Sequence, residues 1–367
     1  MSDLATTVTV IDACGQKAVP ALLVSSPGLG KSSLIRGLAR AQGVPCEVVL
    51  GSIREPADLA GLPYVTEAGV MLSPPAWALR LCAAQSGYLL LDELSTCSGS
   101  TQAAMLAVAL DKTVGDLVLP EGVRIVAAAN PADQAAGGWE LEPPLANRFC
   151  HVEFAPSVDE WLDGMATGWP APPASRAITP DASRVEVVKA SVLGFVRAKP
   201  EYLHVFPSTA EGSAGAWPSR RTWAMLAETL ACVRDDDAAA RQALTFGLVG
   251  EGVGSEFLSW CLVADLPDPA DVVADPGIVD WTDRPDRVWA VLSAVVGWAA
   301  SNGSVERWVK AWGPLVAAAS AGAPDVAAAA ARPLAVCRPA KAKVPAKVRA
   351  SFGPVLAAAG LDQAVAA

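Results

Sequence analysis

The stretch Ser25-Ser26-Pro27-Gly28-Leu29-Gly30-Lys31-Ser32 limits what this chain can fold into more than any other. An apolar run, Ala21-Leu22-Leu23-Val24, leads into it, and a helix-like run from Leu34 to Ala41 leads out. In a strand, glycine loop and helix, backbone N–H groups point inward as a nest for phosphate oxygens, and the helix adds its positive N-terminal end. The pattern assigns Ser26, Pro27, Gly28, Leu29, Gly30, Lys31, Ser32 and Ser33 to a nucleotide's phosphates. Lys31 would reach the β and γ phosphates, and Ser32 would offer its hydroxyl to Mg²⁺. Glycine is needed where the chain passes close to the nucleotide or takes positive φ. One position departs from the usual pattern: Ser25 stands where glycine opens the loop, which is expected to strain the first turn or alter the loop slightly.

The second chemical signal is Gly87-Tyr88-Leu89-Leu90-Leu91-Asp92-Glu93-Leu94. It reads as a buried strand whose C-terminal end delivers two carboxylates beside the phosphate loop, where ligands of open sheets bind. Asp92 would act on Mg²⁺ through water, and Glu93 would orient and polarise the attacking water. Another buried strand, Val123 to Ala129, ends in Asn130-Pro131, an amide placed to position that water and report phosphate loss. Pro131 sits where a guanine-reading box has lysine, so adenine is the expected base. Arg148 stands just before a fifth strand, Cys150 to Phe154, at the rim of the sheet. A cation inserted there can neutralise transition-state charge and be worth about 10³ to 10⁵ in rate. His151 reads as a strand histidine and not a ligand.

Between these signals the chain alternates strands and helices, which implies a parallel three-layer αβα sheet. Strand-like residues on both sides of Glu67-Ala68-Gly69 read as an inserted hairpin, either a partner contact in the centre of a ring or an ordinary surface hairpin. Thr113 to Gly122 reads as a second, smaller one, and Gln102 to Leu110 as a helix.

Composition narrows the partners. The 367 residues carry a net charge of -10, which would repel a nucleic-acid backbone unless a local basic patch compensated. Mean hydropathy is +0.34, enough apolar sequence for a large core. Eight scattered Cys without a C-x-x-C pair, and two His, suggest neither a zinc cage nor a disulfide framework. The first residues lack the pattern of a signal peptide, and no apolar run is long enough to span a membrane, so a cytoplasmic protein without a membrane partner is expected.

Taken together, these segments resemble the AAA+ ATPases of the MoxR type, in the helix-two-insert branch that includes magnesium chelatase subunits. The matching pieces are the phosphate loop, the hairpin after Asp58-Leu59-Ala60-Gly61, Leu91-Asp92-Glu93-Leu94 with Gln102-Ala103-Ala104-Met105-Leu106, the second hairpin, Ala128-Ala129-Asn130-Pro131, and Asn147-Arg148-Phe149, in that order. The resemblance is strong over about 155 residues and weaker to Asp265. It implies an arginine-finger role for Arg148, a sensor role for Asn130, and a homo-oligomeric ring, often of six subunits. Pro218-Ser219-Arg220-Arg221-Thr222-Trp223 resembles the start of the family's lid helix, whose arginine touches the γ phosphate of its own subunit; Arg221 fits that place, with Arg220 as runner-up.

The expected organisation is an AAA+ nucleotide-binding core over 1–155, a Pro- and Gly-rich linker over 156–182, a helical lid over 183–265 and a helical C-terminal region over 266–367. In the last region Trp289, Trp298, Trp308 and Trp312 recur at helical spacings and read as core. Lys341, Lys343, Lys347 and Arg349 read as a solvated helix face.

The expected function is Mg²⁺-dependent ATP hydrolysis by a ring that remodels or assembles a protein partner. Family members are often paired with proteins carrying a von Willebrand factor A-type domain, and nothing in this chain chooses the partner. A nucleic-acid motor, a P-loop small-molecule kinase and a nucleotide-gated scaffold with little hydrolysis are the alternatives. The acidic balance opposes the first, a kinase leaves Arg148, Arg221 and the hairpins unexplained, and Ser25 lends weight to the scaffold.

Overall fold

Four consecutive apolar residues form β1 (Ala21–Val24), the second strand from one edge of a five-stranded parallel sheet ordered β2-β5-β8-β1-β9. In the computed structural model, β2 is Cys46–Leu50, β5 Ser86–Asp92, β8 Gly122–Ala129 and β9 Cys150–Glu153. Tyr88 through Leu91 are all buried, so helices cover both faces of the sheet, and the strands do not alternate for that reason. The structure describes residues 3–67, 69–131, 134, 141–340 and 342–358. Ala68 at the expected hairpin tip, Ala132 and Asp133 after the sensor strand, and Lys341 lie outside the described residues.

Two compact units divide the chain, one of residues 1–179 and 203–255, the other of 180–202 and 256–367. The first holds the sheet. Its α1 (Leu4–Gln16) starts on the Asp3 cap and packs beside the sheet, although Thr6-Thr7-Val8-Thr9-Val10-Ile11 is β-branched and strand-like. Burial of that segment outweighs its local preference. Then come α2 (Lys31–Gln42), α3 (Pro56–Ala60), the hairpin strands β3 (Leu62–Thr66) and β4 (Gly69–Ser73), α4 (Ala76–Ala84), which the sequence reading had not marked, and α5 (Gly99–Asp111). The second hairpin is β6 (Thr113–Val114) with β7 (Leu117–Val118), and α6 (Pro143–Ala146) precedes β9. Both hairpins form where the sequence places them.

The segment expected as a linker begins with α7 (Val158–Thr167). Ser157 caps it and Glu160 closes a capping box, a Ser-x-x-Glu signal the Pro and Gly content had masked. The expected lid is shared between the units. Its first helix, α8 (Ala182–Ala198), belongs to the second unit, whereas α9 (Ala210–Ala214), α10 (Arg220–Thr229) and α11 (Ala238–Val249) belong to the first. The architecture of the first unit is a three-layer α/β fold, a parallel five-stranded sheet between helices with a glycine loop joining β1 to α2, and with helical additions.

In the second unit, α12 (Glu251–Ala264) continues from the first, followed by α13 (Pro269–Ala274), α14 (Pro285–Ala300), α15 (Val305–Ser320), α16 (Pro324–Val336) and α17 (Ala346–Ala358). Trp298, Trp308 and Trp312 are buried in one apolar cluster, and the Trp308 indole donates to the Leu334 carbonyl at 2.7 Å. Trp289 is only half-buried and lies under the Arg197 guanidinium, 5.0 Å from its ring centre. Lys343, Lys347 and Arg349 are exposed, as a solvated face requires. Among the described residues no helix is long and apolar enough to cross a membrane.

Candidate nucleotide site

The loop joining β1 to α2 has Gly28 at φ +86° and Gly30 at φ +93°. A Cβ at either would meet no heavy atom within 4 Å, so glycine is required there by the backbone conformation alone. Ser25 is not among the left-handed residues. The strain expected at that position is therefore absent: Ser25 continues the sheet, its N–H donating to the Ala129 carbonyl at 3.3 Å.

Lys31, the first residue of α2, is buried and turned back over the loop. Its Nζ donates to Asn130 Oδ1 and to the Ser25 carbonyl, both at 2.8 Å, and lies 3.1 Å from Ser25 Oγ and 3.3 Å from the Ser26 carbonyl. Burial lowers its pKa, and the Asp92 charge opposes that shift. Ser32 Oγ donates to Asp92 Oδ2 at 2.5 Å. The strand ends of β1, β5 and β8 thus bring together Lys31, Ser32, Asp92 and Asn130, residues separated by up to 99 positions in sequence.

Among the described residues there is no cluster of three or more His, Cys, Asp or Glu able to hold a metal. Mg²⁺ beside a polyphosphate needs less from the protein: one or two ligands, with waters and phosphate oxygens completing an octahedron. One hydroxyl and one carboxylate already in contact, Ser32 and Asp92, fit that donor set.

Glu93 follows β5 in the left-handed region, at φ +59°, and the turn after it holds it there. Its carbonyl accepts from the Thr96 N–H at 3.0 Å, Thr96 Oγ1 at 2.8 Å and Cys97 Sγ at 3.4 Å. Burial, then the Glu93 charge, pushes the Cys97 thiol up to about 11, so it remains a protonated donor. The Glu93 carboxylate accepts a short hydrogen bond from Ser52 Oγ, just beyond β2. Sequence reading missed Ser52, which carries no motif and is found only through the pairing of β2 with β5.

Arg148, after α6, is half-buried and donates from Nη1 to the Pro144 carbonyl at 2.6 Å, while its Nε is buried with no partner. Burial lowers its pKa, the nearby Arg221 charge lowers it further, and Asp111 opposes. Arg220 and Arg221 are exposed in the first turn of α10, capped by Ser219 as the sequence predicts. The expected finger and lid arginines therefore stand within electrostatic reach of each other on one body.

No protein-family model matches the chain, and no curated protein does. A solved structure from Cytophaga hutchinsonii, described as a candidate ATPase, is similar over 68% of this chain and 86% of its own, at 17% sequence identity and a TM-score of 0.45.

Proposed function

We propose that the chain binds ATP with Mg²⁺ and hydrolyses it, as a ring-forming AAA+ protein of MoxR type that remodels or assembles a protein partner. The observation that carries the proposal is the convergence of Lys31, Ser32, Asp92 and Asn130 at three strand ends, with Glu93 next in the chain. In this reading the loop N–H groups and Lys31 hold the β and γ phosphates. Ser32, and Asp92 through water, would hold Mg²⁺, whose charge would neutralise that on the phosphate oxygens. Asn130 fixes a water on the γ-phosphate side, and Glu93 accepts its proton as the oxygen attacks the γ phosphorus and the bond to the bridging oxygen breaks, ADP leaving with that electron pair.

Because Asn147, before Arg148, is bonded to Ser219 at the cap of the helix that carries Arg221, and the Arg221 charge reaches Arg148, we assign both to one phosphate group, that of a neighbouring copy, in place of dividing them between two nucleotides. Six copies and a partner of the von Willebrand factor A type belong to the same proposal through the resemblance. The deciding experiment is Glu93→Gln. Nucleotide binding, followed with a fluorescent ATP analogue, should persist while phosphate release stops, and unchanged release would refute the assignment.

A further inference from the structure

Asn147 precedes Arg148, is 4% exposed and has both ends of its amide engaged. Nδ2 donates to the Trp217 carbonyl at 3.0 Å, and Oδ1 accepts from Ser219 Oγ at 2.7 Å. A carbonyl can only accept, so the amide has one orientation here. Ser219, having given its single hydroxyl proton to Asn147, meets the Thr222 N–H as an acceptor at 3.2 Å. That bond is the cap that opens α10. Thr222 Oγ1 accepts in return from the Ser219 N–H at 2.8 Å and lies 3.2 Å from the Trp217 carbonyl. Trp217, Ser219 and Thr222 are buried too, so every member of this ring of bonds is satisfied inside the protein.

The ring has arginines at both ends. Arg148 is the next residue after Asn147, and Arg220 and Arg221 are the next residues after Ser219. Their charges repel: Arg221 depresses the Arg148 pKa, and Arg148 Nε has no partner of its own. Left free, two such side chains separate. A buried amide that joins the backbone before one to the helix cap before the other opposes that separation.

We infer that Asn147 is a positioning residue that couples Arg148 to Arg221 as a single clamp for the terminal phosphate. This rests on the functional reading above, in which both guanidinium groups address one phosphate. Asn147 touches neither substrate nor water in this role and acts through the two arginines.

The test uses the full chain with Asn147→Ala, Ser219→Ala and Ser219→Thr, each in the native background and combined with Arg148→Ala. Two measurements are made: steady-state ATP turnover, and amide hydrogen exchange over 143–149 and 217–223 without nucleotide. Asn147→Ala and Ser219→Ala should lower kcat by about 10- to 100-fold, the scale of an ångström-level misplacement, with KM for ATP almost unchanged. Ser219→Thr keeps hydroxyl and cap and should restore turnover. In the Arg148→Ala background the same substitutions should cost almost nothing more, which a general loss of structure would not reproduce. Exchange should accelerate in both segments together for Asn147→Ala. An equal loss with and without Arg148, or exchange that changes in only one segment or in neither, overturns the coupling. A native chain that turns over no ATP refutes the functional reading instead, and the exchange measurement still decides whether Asn147 joins the two segments.

Discussion

Gly51 gives a prediction that local preference alone would miss. It follows β2, opens a 3-10 turn over Gly51–Ile53, and is not in the left-handed region, so backbone conformation would accept alanine there. Space would not. A Cβ at this position would lie 2.0 Å from Cys97 Sγ, 2.9 Å from Met105 Cε and 3.3 Å from the Asp92 carbonyl oxygen. The methionine end can swing away, but Cys97 is 1% exposed, and its sulfur is also bonded to the Glu93 carbonyl. Gly51→Ala must therefore push out the side chain that helps hold Glu93 in its left-handed conformation. Overpacking of this kind costs about 1–3 kcal/mol. In a body of this size each kcal/mol lowers the melting temperature by about 2–4 °C. Cys97→Ala removes the clashing atom, so Gly51→Ala/Cys97→Ala should be more stable than the sum of the single losses, with a coupling of about 0.5–3 kcal/mol. Urea unfolding of the four proteins measures this cycle, and ATP turnover in the same set should fall for Gly51→Ala. A Gly51→Ala protein with native stability, or losses that simply add, would show that the crowding around Cys97 has been misjudged.

Two further outcomes follow from the site. Arg148→Ala should lower ATP turnover by about 10³ to 10⁵ while leaving binding and melting temperature nearly intact, because it removes a charge whose neighbour repels it; phosphate release at the native rate would exclude the finger role. His151 is held by the Ala146 carbonyl at 2.8 Å, and burial pushes its pKa below the ordinary histidine range, so the unfolded chain binds the proton more readily. Its contribution is full above the ordinary histidine value and is lost as pH falls below it, so His151→Asn should flatten the acid side of the stability profile. An unflattened profile would refute it.

What the sequence made legible is the chemistry that repeats a local pattern. The phosphate loop, the two carboxylates after an apolar run, and Asn130 at a strand end each carry their signal within about eight residues, and the parallel order follows from uninterrupted apolar strands. Two kinds of feature were not legible. Ser52 and Asn147 act through long-range pairing: Ser52 meets Glu93 across 41 positions, and Asn147 meets Ser219 across 72. No spacing rule joins such residues before the sheet is built. Local preference, in turn, gave way to tertiary burial at α1, where Thr6, Thr7 and Thr9 are buried in a helix despite their strand-like character.

Ser25 bears on whether the loop hydrolyses or merely binds. Its backbone needs no glycine, and it contributes its carbonyl and hydroxyl, two of the four acceptors around Lys31 Nζ. All four are neutral. Phosphate oxygens are charged, and hydrogen bonds to them are roughly twice as strong, so bound nucleotide would draw the ammonium away from Ser25 without difficulty. Ser25 therefore supplies no physical reason for a loop that binds ATP and stops there. A slow enzyme would owe its rate to Glu93, one of whose carboxylate oxygens is engaged by the Ser52 hydroxyl and is a weaker base while it is. On that argument Ser52→Ala, and not Ser25→Gly, is the substitution that should raise basal turnover.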